Sequence, residues 1–106
     1  MRQTETVVAI YLDAADAFLA SELLSMGSES TTIFPTRTLI ARALETGACG
    51  IVLAHNHPSG LATPSEQDRE ATDHLRALSA QLGIKLVDHL IVAGNQVFSM
   101  SKGSPV

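Results

Sequence analysis

The chain predicts an α/β fold of the α+β kind: a single mixed β-sheet flanked by two helices, in the order ββαβαββ. Three observations carry this reading. Apolar runs of strand length recur at residues 5–12, 17–26, 50–55, 84–92 and 97–100. Residues 37–46 and 66–82 instead repeat their apolar positions at helical spacing. The length, 106 residues, and a composition of 45% hydrophobic and 17% charged residues suit one compact domain over 1–106.

Each element has its own local signal. Glu-Thr-Val-Val-Ala-Ile-Tyr-Leu, residues 5–12, reads as the first strand. Asp13-Ala14-Ala15-Asp16 reads as a turn into the second strand, making a hairpin. Gly27, a Ser/Thr cluster and Pro35 mark residues 27–35 as a loop. Thr36 is read as the N-cap of the first helix, Leu39, Ile40, Ala43 and Leu44 as its apolar stripe, and Gly47 as its stop. The run Ile51-Val52-Leu53-Ala54 reads as a buried third strand, followed by a Pro/Gly-rich loop over 57–64. Ala71, Leu75, Leu78 and Leu82 give the second helix one apolar face, and Gly83 ends it. Gly94-Asn95 turns the fourth strand into the short fifth, and the tail 101–106 reads as frayed.

Composition excludes several function classes. Seven basic against 11 acidic residues give a net charge of −4, which argues against a broad nucleic-acid surface and direct DNA binding. No apolar run approaches the roughly 20 residues of a membrane span, and the N-terminus lacks a signal-peptide apolar core. Cys49 is the lone cysteine, read as a packing residue beside the third strand in a reducing, cytoplasmic setting.

The chemistry concentrates in His55-Asn56-His57-Pro58-Ser59-Gly60, with Ser65 and Asp68 downstream. Residues two apart on an extended backbone point to the same side, so both imidazoles can reach one point. Two neutral imidazoles and a carboxylate form a catalytic zinc set that leaves a fourth position for water. A blander reading has the histidines capping loop carbonyls. Ser65 and Asp68 also read as a capping box opening the second helix, and the two roles are compatible, because a helix N-terminus favours an ionised carboxylate. On the second strand, Phe18, Ala20, Glu22, Leu24 and Met26 share a face that is apolar except for Glu22. A carboxylate on a core face needs a partner, and a general-base role beside a metal would supply one. A register slip of one residue would instead put Glu22 in solvent. Asp88 and His89 read as structural hydrogen-bonding groups or as supports for a ligand histidine, and His74 as a surface residue.

With these residues in place, the chain resembles the JAB/MPN (JAMM) metalloprotease-type domains, and in particular their bacterial RadC-like branch. That signature is an upstream Glu, His-x-His, seven residues, Ser, two residues and Asp. It is matched here by Glu22, His55-Asn56-His57, Ser65 and Asp68. Ala54 to Gly60 and Asp88-His89-Leu90-Ile91 also follow the branch. The resemblance covers about residues 5–100 and implies a JAB/MPN-like fold. It implies Zn²⁺ held by His55, His57 and Asp68, Glu22 as general base, and Ser65 as oxyanion donor. The implied activity is hydrolysis of an amide or isopeptide in a peptide substrate. The branch's DNA-repair label implies the alternative of a non-catalytic binding or adaptor module. The branch's usual N-terminal helix-hairpin-helix domain has no counterpart in this sequence. Met26, Pro35-Thr36 and Leu61-Ala62 depart from the branch's usual residues around the cleft. A zinc nucleobase deaminase would need His-x-Glu and Pro-Cys-x-x-Cys, which a single cysteine cannot provide.

Overall fold

A computed structural model describes residues 4–28 and 34–106. The middle of the loop expected over 27–35, residues 29–33, lies outside the described residues. The elements are β1 (Thr4–Leu12), β2 (Phe18–Ser28), α1 (Thr36–Thr46), β3 (Gly50–Asn56), α2 (Glu66–Gln81), β4 (Lys85–Ala93), β5 (Gln96–Ser99) and β6 (Ser104–Pro105). The strands form one six-stranded sheet in the order β2-β1-β3-β4-β5-β6. Among the described residues only β3 and β4 pair in parallel, with α2 as the crossover between them.

The hairpin turn follows from its aspartates. Asp13 Oδ1 accepts the backbone N–H groups of Ala15 and Ala17 at 2.8 and 2.9 Å, and Asp16 takes the left-handed φ of 63° that Asp tolerates. Alternation then decides the faces. Val7, Ala9 and Tyr11 of β1 are buried, and Ala9 and Tyr11 pair with the buried Leu53 and Ile51 of β3. Leu39 and Ala43 of α1 and Leu75 of α2 join the same cluster, so both helices bring their buried residues to one face of the sheet. Val8, Leu19 and Leu23 belong to the other face and stay partly or largely exposed.

Four local expectations are corrected. Pro35, not Thr36, precedes α1, and no side chain among the described residues caps that helix. Leu44 is exposed, because α1 buries only Leu39 and Ala43 against β1. Cys49 is exposed in the turn before β3. The tail is not wholly frayed, since Ser104 and Pro105 pair with β5. Gly47, at φ 72°, does end α1 in the left-handed conformation a glycine favours.

The buried face of α2 differs most from its apolar pattern. Asp68, Thr72, Leu75 and Ser79 are buried, while Leu82 is 47% exposed. Three of the four buried side chains are polar. Polar groups withdrawn from water need partners, and those of Asp68 and Thr72 are histidines.

Candidate metal centre

The end of β3 carries the two histidines to the rim of the helix-covered face. His55 is fully buried, and its residue pairs with Val7 of β1. Asn56 ties the start of β1 to this point, its Oδ1 accepting from the Thr6 backbone N–H at 2.6 Å and the Thr6 hydroxyl at 3.1 Å. The chain then leaves the sheet, and the His57 N–H still donates to Val92 O at 2.9 Å. His55 and His57 meet edge to face, with ring centroids 4.9 Å apart.

Ser65 and Asp68 arrive at the head of α2 as a capping box. The Ser65 Oγ accepts the Asp68 N–H at 3.0 Å, and the Asp68 Oδ2 accepts the Ser65 N–H at 2.8 Å. The same carboxylate lies against both imidazoles, with Oδ2 2.9 Å from His57 Nε2 and Oδ1 3.7 Å from His55 Nδ1. Burial alone would raise the Asp68 pKa. The Ser65 hydrogen bonds and the neighbouring His55 and His57 outweigh it and hold the carboxyl below its ordinary value.

The upstream carboxylate at this site is Glu5. Its Oε1 lies 2.6 Å from His55 Nε2, and ligand atoms of Glu5, His55 and His57 all lie within 4.8 Å of one another. Glu22 does not join them, which corrects the role expected from its strand position. Its Oε2 accepts from Arg42 Nε at 2.8 Å, and Glu22 pairs with Ala9 well inside the sheet. Glu5 and Glu22 both have core-facing parity. The signal that separates them is strand direction: antiparallel pairing sets the beginning of β1, not its middle, beside the end of β3.

The donor set fits a cation. Leu61 O can only accept, so the His57 Nδ1 that meets it at 2.9 Å carries a hydrogen. In the neutral ring Nε2 is then a lone pair, and it faces a carboxylate oxygen at 2.9 Å. Two lone-pair atoms at that distance require a proton or a metal ion between them. His55 Nε2 and Glu5 Oε1 stand 2.6 Å apart, a contact that the neutral ring's own Nε2–H satisfies and that a cation on Nε2 would replace. Nitrogen and oxygen donors in this arrangement suit zinc.

A cleft of about 690 Å³ opens beside the histidines, lined by Glu5, Phe34, His57, Leu61, Ser65 and Asp68 among others. His74 is exposed, as expected, yet also lines this cleft. Asp88 has a structural role: it accepts from the Ser99 hydroxyl at 2.7 Å and from the backbone N–H groups of His89 and Ser101.

A mixed sheet that presents a His-x-His pair beside a Ser-x-x-Asp helix cap defines a JAB-type domain. The chain belongs to the RadC-like JAB domain family, whose model matches residues 1–104. It is 42% identical over 100 residues to the UPF0758 protein YeeS of Escherichia coli (strain K12), covering 94% of this chain and 68% of that protein. It is 41% identical over 98 residues to the UPF0758 protein Bpet3149 of Bordetella petrii, covering 92% of this chain and 44% of that one. A UPF0758 protein of Streptococcus sanguinis is 40% identical over 99 residues, covering 93% of this chain and 43% of the relative. The chain thus spans less than half the length of the last two. Among the described residues, no helix is long and apolar enough to cross a membrane.

Proposed function

We propose that this chain is a zinc-dependent hydrolase-type domain acting on an amide or isopeptide bond of a peptide substrate. The observation that carries the reading is the gathering of Glu5, His55 and His57 ligand atoms within 4.8 Å of one another beside the cleft, with Asp68 Oδ2 2.9 Å from His57 Nε2. His55, His57 and Asp68 would hold the metal. Zinc bound there supplies a lowered water pKa and a Lewis acid for the substrate carbonyl. Glu5 is the base in this reading: its carboxylate stands at the cleft lining, half-buried, where it can take a proton and return it to the leaving amine. The Ser65 oxygen accepts the Asp68 N–H, so its own hydrogen remains free to meet a developing oxyanion in the cleft.

Metal analysis of untagged protein, with cleavage assays on isopeptide-linked and short peptide substrates, tests this. About one zinc per chain is expected, with most of it lost in His57→Ala and Asp68→Ala. Unchanged metal content in both variants would overturn the ligand assignment. A zinc-loaded chain that cleaves neither substrate would leave a binding or adaptor module as the better reading.

A further inference from the structure

His89 of β4 is fully buried beside the candidate metal centre without joining it. Its ring centroid lies 5.6 Å from that of His55, with the planes 31° apart, and Phe34 packs on it at 5.7 Å. His89 Nδ1 lies 2.7 Å from the Thr72 hydroxyl. Met100 Sδ, 3.6 Å from that hydroxyl, can only accept its hydrogen. With the hydroxyl hydrogen given to Met100, the Thr72 oxygen accepts and His89 carries its hydrogen on Nδ1. In the neutral ring, Nε2 is left as a lone pair.

This Nε2 is buried and has no hydrogen-bond partner among the described residues, and the same holds for Nδ1 of the adjacent His55. Buried polar atoms without partners are few in native proteins and call for an explanation. A cation on His55 Nε2 places that ring's hydrogen on Nδ1. An unpartnered donor and an unpartnered acceptor then sit on neighbouring rings. The competing acceptor, Asp68 Oδ1, is 3.7 Å from His55 Nδ1, beyond hydrogen-bond distance.

We propose that His89 is a positioning residue for His55, accepting its Nδ1–H at Nε2 through one trapped water, with Thr72 fixing the His89 tautomer. The inference rests on the metal reading and deepens it. Such a partner orients a ligand imidazole and raises its basicity. It also accounts for the polar face of α2, since Thr72 is buried to meet His89 and Asp68 to meet His57. Asp88 holds the backbone N–H of His89 at 2.7 Å and so steadies the strand at this residue.

The test is long-range ¹H–¹⁵N NMR of the histidine rings in the full chain, with and without zinc, beside zinc affinities measured by chelator competition. His89 should appear with hydrogen on Nδ1 in both states, and His55 with hydrogen on Nδ1 once zinc is bound. His89→Leu and Thr72→Val should each weaken zinc binding by roughly 10–100-fold. Thr72→Ser, which keeps the hydroxyl, should restore most of it, a rescue that a packing role alone would not give. An Nε2–H tautomer at His89 in the wild-type protein would overturn the proposal without recourse to any variant. Unchanged affinity in well-folded His89→Leu and Thr72→Val would overturn it too, and give the His55 proton to Asp68. A wild-type chain that binds no zinc would instead overturn the metal reading itself, and this inference with it.

Discussion

At the scale of single residues, two glutamates on the same sheet face have different surroundings. Glu22 lies against Arg42 and near Tyr11, whose hydroxyl is pushed up to about 12 by burial and by the nearby carboxylate. Glu5 lies against His55. Glu5→Gln should therefore keep zinc and lose turnover by roughly 10²–10⁴-fold, the usual contribution of a general base. Glu22→Gln should leave turnover near wild type, and the reverse ranking in a peptide-cleavage assay would reinstate Glu22. His89 sets a pH window. Burial, with neighbouring His55 adding to it and Asp68 and Asp88 opposing, pushes its pKa down to about 4. The unfolded chain binds that proton near 6.5, so as pH falls it is protonated before the folded one. Stability of the zinc-free protein should then be lost progressively from about pH 6.5 to about 4, by on the order of 3 kcal/mol from this group. Asp68 acts lower: its depressed carboxyl contributes stability above the ordinary carboxylate pKa that is lost as pH falls through its own folded value. Urea midpoints at pH 7 and pH 4.5, for wild type and His89→Gln, check the higher window. Equal pH slopes would remove His89 from it.

At the scale of elements, α2 does two jobs with one terminus. Its capping box satisfies free N–H groups at the helix start, and the same Asp68 turns toward the histidines. Ser65→Ala separates the jobs. Loss of the cap should lower stability by roughly 0.5–2 kcal/mol. Loss of an oxyanion donor should lower turnover by roughly 10²–10³-fold with substrate binding little changed. A thermal melt beside a kcat and KM measurement reads both, and a lower Tm with unaltered kcat would leave Ser65 a cap alone. The apolar stripe Ala71, Leu75, Leu78 and Leu82 predicted the existence of α2 but not its buried face. The helix is rotated so that Asp68 and Thr72 meet histidines, and Leu82 is left half in solvent.

At the scale of the whole molecule, the core does not depend on the metal site. Val7, Ala9, Tyr11, Leu39, Ile51, Leu53, Leu75 and Leu86 form one buried cluster across three strands, β1, β3 and β4, and the two helices α1 and α2. Chelation should therefore leave the far-ultraviolet circular dichroism spectrum nearly unchanged, and zinc should raise Tm by mass action, stabilising the fold by about 2.7 kcal/mol at a hundredfold excess over Kd. Unfolding on chelation would mark a structural zinc instead.

The sequence by itself determined the order of the first seven elements, the mixed sheet and the His55, His57, Ser65 and Asp68 constellation. Each of these is written locally: period-2 and period-3.6 patterns set the elements, residues two apart on a strand share a side, and a capping box lies within four residues. Tertiary structure alone decided which glutamate meets His55, because parity puts both Glu5 and Glu22 on the core face and only the antiparallel register of β1 on β3 chooses. It also decided that His89, 34 positions after His55 in the chain, packs its ring on that histidine through the parallel pairing of β3 with β4. Contacts between distant segments depend on strand order and direction, and a local pattern of hydrophobic and polar residues does not encode either one.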